Sequence, residues 1–243
     1  MNSLFRHKNM RRANIKNDVN ESIEVYFNNF VSCNIINKNI TELLCEEDVI
    51  EKEKQLYELF SHDKITEYEC NMILETIQDK GYLLNISQCE YNWIKKVITF
   101  AENIPICITI SSARKEHFGF PLIYVNKHFE KLTEYNRESI IGKNCKFLKP
   151  VIPILEEESR HALIHYSLLN FTPLSVIVTN IKKSGVEFYN LLSFKSVFNE
   201  EGKYIYCIGI QTEITREPID EINLKNIENV LIALTNFQYS VYH

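Results

Sequence analysis

Asn180-Ile181-Lys182-Lys183-Ser184-Gly185-Val186-Glu187-Phe188-Tyr189-Asn190 reads as two strands joined by a tight turn. Lys183-Ser184-Gly185 suits a three-residue hairpin loop with glycine in the left-handed position. Residue 182 then faces 186, and Asn180 faces Phe188. Asn190 is two positions beyond Phe188, so it points to the same face as Asn180. The next connection, Asn199-Glu200-Glu201-Gly202, suits a four-residue loop. That register sets 198 opposite 203 and Asn190 directly opposite Gln211. Three carboxamides therefore share one face with Val176, Val178, Leu192, Phe194, Cys207 and Gly209. Gly209 lets a ligand approach the backbone closely. Buried amides must be hydrogen-bonded, and two readings satisfy them. They pair with one another or with backbone, or they meet the donors and acceptors along the edge of a flat heterocycle.

Around this hairpin the pattern is α+β. Ile106–Ile110 and Leu122–Val125 are short β-prone runs separated by the polar stretch Ser111 to Gly119. Asn126–Leu132, Arg137–Ile141 and Ser159–Asn170 are helical, and Leu174–Lys182, Val186–Phe198 and Lys203–Thr215 form a meander. Upstream, residues 19–103 are read as a helical region that serves as a cap, dimerisation segment or effector. Its apolar stripes include Ile23, Tyr26, Phe27 and Phe30, then Leu56, Leu59 and Phe60, then Cys70, Ile73, Leu74 and Ile77. Gly81 stops one helix after Lys80, and Trp93, Ile94, Val97, Ile98 and Ala101 mark the last, which ends near Pro105. Residues 217–243 carry a final amphipathic helix with Leu224, Ile227, Leu231 and Leu234, and a tail. Residues 1–18 form a basic arm holding Arg6, His7, Lys8, Arg11, Arg12 and Lys16. A disordered arm that touches anionic lipid or another acidic surface is preferred to a targeting peptide.

The formal net charge of −5 argues against a general nucleic-acid coat. No run approaches the roughly 18 apolar residues of a membrane span. Seven cysteines, an odd number without a CxxC, fit reduced thiols and a cytoplasmic location. His161 and His165 are spaced i,i+4, but no third ligand stands in a metal motif, so a packed or solvated helix face is expected and no metal site. Neither a P-loop, a kinase motif nor a dinucleotide fingerprint is present, and no enzyme is expected.

Cys145 stands in Gly142-Lys143-Asn144-Cys145-Lys146-Phe147-Leu148, just behind a glycine break and at the start of a short helical turn. A free cysteine there is either a small buried hydrophobe or a reactive group. Lys143 or Lys146 beside a helix start can bind an anionic tail.

The heptapeptide resembles the GRNCRFLQ signature of LOV domains, the flavin-binding blue-light sensors of the PAS superfamily. Pro121-Leu122-Ile123-Tyr124-Val125-Asn126, Leu132-Thr133-Glu134-Tyr135, Asn180 with Lys183-Ser184-Gly185, Phe188-Tyr189-Asn190-Leu191 and Ile208-Gly209-Ile210-Gln211 resemble the same family in order. The resemblance covers residues 104–216. It implies a PAS/LOV fold, a five-stranded antiparallel sheet with short helices. It also implies FMN as cofactor, with FAD as the larger alternative because the connection after Pro153 is lengthened.

By the same resemblance Cys145 forms a reversible adduct at flavin C4a, and Gln211 bonds the N5/O4 edge and rotates when N5 is protonated. Asn180 and Asn190 hold the pyrimidine edge, and Asn144 and Lys146 contact the ribityl-phosphate side. The chain departs from the family in having Lys146 and His165 at two usual arginines, Lys149 at the terminal glutamine and Leu192 at a frequent phenylalanine. Glu156, Glu157 and Glu158 would oppose a phosphate unless they face elsewhere.

The signal is expected to leave through Trp93–Ala101 or Leu224–Leu234 to a protein partner or a second copy. A PAS interaction module without photochemistry is the alternative. The N-terminal region faintly resembles regulators of G-protein signalling at Tyr26-Phe27-Asn28-Asn29-Phe30 and Gln55-Leu56-Tyr57-Glu58-Leu59-Phe60, which leaves a light-gated regulator as a further alternative.

Overall fold

A computed structural model describes residues 65–102, 104, 106–150, 157–214, 230–232 and 234–235. The basic arm, the stripes through Ile23–Phe30 and Leu56–Phe60, Glu156, and the helix positions Leu224 and Ile227 lie outside the described residues.

Helix α1, Glu67–Asp79, begins at a reciprocal cap. Thr66 accepts from the Glu69 N–H while the Glu69 carboxylate accepts from the Thr66 N–H at 2.9 Å. Glu67 and Glu69 also place negative charge at the positive end of the helix. Cys70, Ile73, Leu74 and Ile77 are its buried stripe. It ends at Lys80 with Gly81 at φ +82°, where Gly81 N bonds Gln78 O at 2.8 Å and Tyr82 N bonds Ile77 O at 3.2 Å. Helix α2, Gln88–Ala101, is capped by Ser87 and buries Trp93, Ile94, Val97, Ile98 and Ala101.

Strands β1 (Cys107–Ser112), β2 (Leu122–Val125), β3 (Leu174–Ile181), β4 (Glu187–Phe198) and β5 (Tyr204–Ile214) form one sheet in the order β2-β1-β5-β4-β3. All its pairings are antiparallel. Between β2 and β3 lie α3 (Lys127–Thr133), α4 (Arg137–Ile140), a 3-10 turn (Cys145–Leu148) and α5 (Glu158–Leu169). This is the five-stranded antiparallel sheet with helices that the sequence leads one to expect.

Strand alternation divides the core. One sheet face presents Ile108, Ile110, Tyr206, Ile208 and Ile210 to α1 and α2, and Leu231 and Leu234 join that cluster. The other face presents Leu174, Phe194 and Cys207 towards Leu163, Ile164 and Leu168 of α5. Each fully buried Ile or Leu side chain contributes about 1.5–3 kcal/mol of transfer free energy. Asn126 ties the layers together. Its Nδ2 donates to Ala101 O and Ile106 O, both at 2.8 Å, and its Oδ1 accepts from Ile108 N at 3.0 Å and Phe129 N at 3.1 Å. That buried amide has its full complement of bonds and fixes the end of α2 against β1 and α3.

The first hairpin has the expected register, with Asn180 opposite Phe188. The second differs: Gln211 lies opposite Leu192, and Asn190 lies opposite Glu213. Two local features move it. Asn199 Oδ1 accepts from Glu201 N at 3.1 Å and Lys203 N at 2.8 Å, so the turn closes between 199 and 203 rather than 198 and 203. A bulge between Val197 and Phe198 adds the second step. Because the two slips add, Gln211 stays on the face of Asn180 and Asn190.

Candidate functional site

The three amides meet at one point. Asn190 Nδ2 donates to Asn180 Oδ1 at 2.7 Å and to Gln211 Oε1 at 2.8 Å. All three residues are buried. Asn180 Nδ2 bonds Leu148 O at 3.2 Å, which joins the amide wall to the end of the cysteine turn. Asn190 Oδ1 is buried and has no partner. A buried acceptor left unpaired costs about 1–3 kcal/mol, so this oxygen has a bond still to make.

The cysteine turn is held by its own first residues. Gly142 adopts φ +92° and bonds Leu122 O at 2.8 Å, and Lys143 O accepts from Leu122 N at 2.9 Å. Asn144 caps the turn, accepting from Lys146 N at 2.9 Å, and its Nδ2 bonds Gly119 O. Cys145 follows. It keeps part of its surface open, yet its thiol lies in dehydrated surroundings, and burial pushes it up to about 12. At neutral pH it is a protonated thiol.

A cavity of about 430 Å³ brings the expected residues together. Asn144, Cys145, Lys146, Lys149, His165, Asn180, Asn190, Leu192, Gly209 and Gln211 all line it. The volume falls within the range of small-molecule sites. Val178, Leu192, Phe194 and Gly209 give it an apolar floor. A Cβ on Gly209 would stand 2.9 Å from Thr109 Oγ1, so the backbone of β5 is bare where a flat ligand would lie.

Among the described residues the charge of the wall is one-signed. Arg114, Lys115, Lys146 and Lys149 line it with His117, His161 and His165, and no described Asp or Glu does. Arg114 is already paired with Glu90 and Glu116. Burial, then Lys146, holds Lys149 below the usual lysine range; burial, then Lys149, holds His161 below the usual histidine value. An anionic tail would relieve both. Glu157, one of the three glutamates expected to oppose an anion, does not line the cavity. Its carboxylate accepts from Thr179 N at 2.8 Å and from Thr179 Oγ1, with Arg160 at 3.7 Å. Glu158 begins α5 and is exposed.

Sequence reasoning missed His161 and the β1–β2 loop. The i,i+4 spacing of His161 and His165 was the available signal, because it puts both on one helix face. Among the described residues no group of three His, Cys, Asp or Glu is placed to hold a metal. Arg114, Lys115, His117 and Phe118 come to the cavity through a loop with no periodic pattern. Cys207 lines the cavity as well, but Cys107 packs with Phe129 and Leu148 instead. No described helix is long and apolar enough to cross a membrane.

Comparison with known proteins covers the same stretch. Residues 105–216 match the PAS domain family. A blue-light photoreceptor of Listeria innocua serovar 6a is 34% identical over 107 residues, 43% of this chain and 40% of that protein. A blue-light-activated histidine kinase of Rhizobium johnstonii is 35% identical over 110 residues, 44% of this chain and 30% of that protein. The chain thus spans less than half the length of these curated relatives. A solved LOV domain from a blue-light activated histidine kinase of Erythrobacter litoralis is 29% identical, with a TM-score of 0.41, and covers 47% of this chain and 100% of its own.

Proposed function

We propose, from the premise that residues 105–216 are a LOV domain of the PAS superfamily, that this chain is a blue-light photoreceptor working through a flavin held in the cavity. One observation carries the reading. A dehydrated, protonated thiol shares a cavity with three converging amides, one of which has an unpaired buried oxygen. A flat heterocycle with an N–H on its edge fits that wall.

The bound flavin supplies the absorption of blue light and an electrophilic C4a=N5 unit. Cys145 would supply both the sulfur and the proton for addition to this unit, so the reaction would need no outside oxidant or reductant. A thiol pushed up to about 12 suits this step, because proton and sulfur must both come from the same group. Asn180 and Asn190 hold the pyrimidine edge. Gln211 can present a carbonyl oxygen or an amide N–H by rotating, and so would match the ring edge in either protonation state. Lys146, Lys149 and His165 face the anionic tail, Asn144 the ribityl side, and Leu192 and Gly209 the ring.

FMN is the expected cofactor; FAD is the larger member of the same class. The chain serves as a sensor rather than a catalyst. Ile210, adjacent to Gln211 on β5, belongs to the cluster of α2, Leu231 and Leu234. A shift in β5 therefore reaches both flanking helical segments, and through them a protein partner or a second copy.

The test is spectroscopic. The purified chain is expected to carry flavin absorbance, to bleach under blue light with loss of fluorescence, and to recover in the dark. Cys145→Ala is expected to keep flavin and lose the bleaching. A colourless chain that binds no added flavin would leave a PAS interaction module instead. Normal bleaching of the alanine variant would exclude Cys145 as the adduct residue.

A further inference from the structure

We infer that the α1–α2 helical pair, which lies outside residues 105–216, positions the Cys145 thiol, with Tyr82 and Glu102 holding the segment that carries it. The functional consequence rests on the photochemical role proposed above for Cys145; the contacts do not.

Tyr82 lies in the turn between α1 and α2. A Cβ built on Gly142 would stand 3.2 Å from its hydroxyl, so the Tyr82 side chain is packed against bare backbone three residues before Cys145. The Tyr82 ring also meets His117 edge-on, with centroids 4.8 Å apart. His117 Nδ1 is 2.8 Å from Ser112 Oγ, and both residues line the cavity. Tyr82 thus touches both the cysteine segment and the cavity wall without lining the cavity.

The second hold is at the other end of α2. Glu102 is 1% exposed and caps that helix. Its carboxylate accepts from the Tyr124 hydroxyl at 2.7 Å and from Arg137 Nη2 at 2.6 Å. Arg137 is the first residue of α4, lies over the Tyr124 ring at 5.6 Å, and reaches Glu130 at 3.6 Å. Only Ile141 separates α4 from Gly142. Breaking one side of a buried, hydrogen-bonded ion pair is strongly unfavourable, so this hold is firm. Between the two holds the segment is tied to the β2 edge by Gly142 N to Leu122 O and Leu122 N to Lys143 O. The position of the Cys145 turn is therefore set by β2 and by two residues of the helical pair, together with the bonds of Asn144 to Gly119 O and of Asn180 to Leu148 O.

Addition of sulfur to an excited ring competes with decay of the excitation. Its yield depends on how well the sulfur is placed, and a displacement of about 1 Å can change such a step by orders of magnitude. Tyr82, Glu102, Tyr124 and Arg137 do not line the cavity, so loosening them should change the yield of addition and leave flavin affinity alone.

The test uses the full chain and its Tyr82→Ala, Tyr82→Phe and Glu102→Gln variants. FMN affinity and thermal midpoint are measured first, then the quantum yield of bleaching at matched FMN occupancy. The rate at which a neutral alkylating reagent modifies the Cys145 peptide in the dark is read by mass spectrometry. Tyr82→Ala is expected to lower the yield by about threefold or more and to raise the alkylation rate, at unchanged FMN affinity. Tyr82→Phe keeps the ring on His117 but removes the hydroxyl that lies against Gly142, so it should fall between wild type and Tyr82→Ala. If Tyr82→Ala does not fold, Glu102→Gln, which keeps a partner for Tyr124, carries the same expectation. Unchanged yield and unchanged alkylation in the folded variants would overturn the inference. Absence of bleaching in the wild-type chain would instead defeat the photochemical reading, and the alkylation rates would still decide whether the helical pair positions the thiol.

Discussion

The Trp93 indole N–H donates to the main-chain carbonyl of Leu234 at 3.0 Å, inside the protein and across 141 positions of sequence. The same indole stacks on Tyr206 of β5, with centroids 5.5 Å apart and planes 10° from parallel. One side chain thus joins α2, the sheet and the C-terminal helical residues. Trp93→Phe would keep most of the ring packing and delete the donor to this carbonyl. A loss of about 1 kcal/mol is expected, equivalent to roughly a fivefold rise in local opening. Amide hydrogen exchange of peptides covering residues 230–235 would read it, and unchanged exchange there would show that the bond does not hold the segment.

The amide wall makes a second prediction. Asn190→Leu removes both donors that Asn180 Oδ1 and Gln211 Oε1 use. It also removes the oxygen assigned to a ligand donor. FMN affinity is expected to fall by about tenfold or more, since one lost polar contact of ~1.4 kcal/mol already gives that factor. A fluorescence titration of FMN against the variant would measure it, and wild-type affinity would mean that the ligand does not use this wall.

Gly209 offers a packing test. Gly209→Ala would set its Cβ 2.9 Å from Thr109 Oγ1 and 3.8 Å from Phe194 Cβ. Overpacking of this kind costs about 1–3 kcal/mol. Adding Thr109→Ala removes the clashing oxygen and should restore most of the lost stability, at the loss of a long 3.4 Å bond to Gly209 O. Chemical denaturation of the two single variants and the double variant would give the coupling. Simple additivity would mean that the strand shifts to absorb the methyl group.

Stability should also depend on pH near neutrality. Burial holds His117, His128 and His161 below the ordinary value of 6.5, with Arg114 adding to it at His117, Lys131 at His128, and Lys149 and Arg160 at His161. Glu116, Glu102 and Glu157 pull the other way at the three sites and do not outweigh burial. The unfolded chain therefore takes up these protons first. Stability is fully present above 6.5 and falls as pH drops through the depressed folded values. The lowered carboxylates Glu67, Glu69, Glu116 and Glu134 start from 4.5, so their contribution is lost only at more acid pH. The thermal midpoint of the flavin-free chain should drop between about pH 7 and pH 5.5, and less so in His161→Asn. A flat profile would refute the assignment.

Much of the site was legible because strand facing has a period of two. Lys183-Ser184-Gly185 names its own turn, and it set Asn180 and Asn190 on one face. The exact pairing of Gln211 was not legible, because it depends on Asn199 capping its own turn and on a bulge that no residue at 197–198 announces. His161 stood in plain view as half of an i,i+4 pair, but helix spacing says only that two side chains share a face, not what that face meets. Tyr82 and Gly142 are 60 positions apart, and their contact depends on how two helices lie across a sheet. No local pattern encodes it. Arg114, Lys115 and His117 fall in the same category, since loop conformation rather than periodicity brings them to the cavity wall.

The two irregularities between β4 and β5 carry a consequence for length variation. Each shifts the pairing by one, and together they make an even number. A single-residue deletion within 199–202, or loss of the bulge alone, is odd: it would turn Gln211 into the core under α1 and α2 and bring Ile210 into the cavity. A paired change preserves the facing and merely slides one strand along the other. The connection is thus a parity lock, tolerant of change in twos and intolerant of change by one.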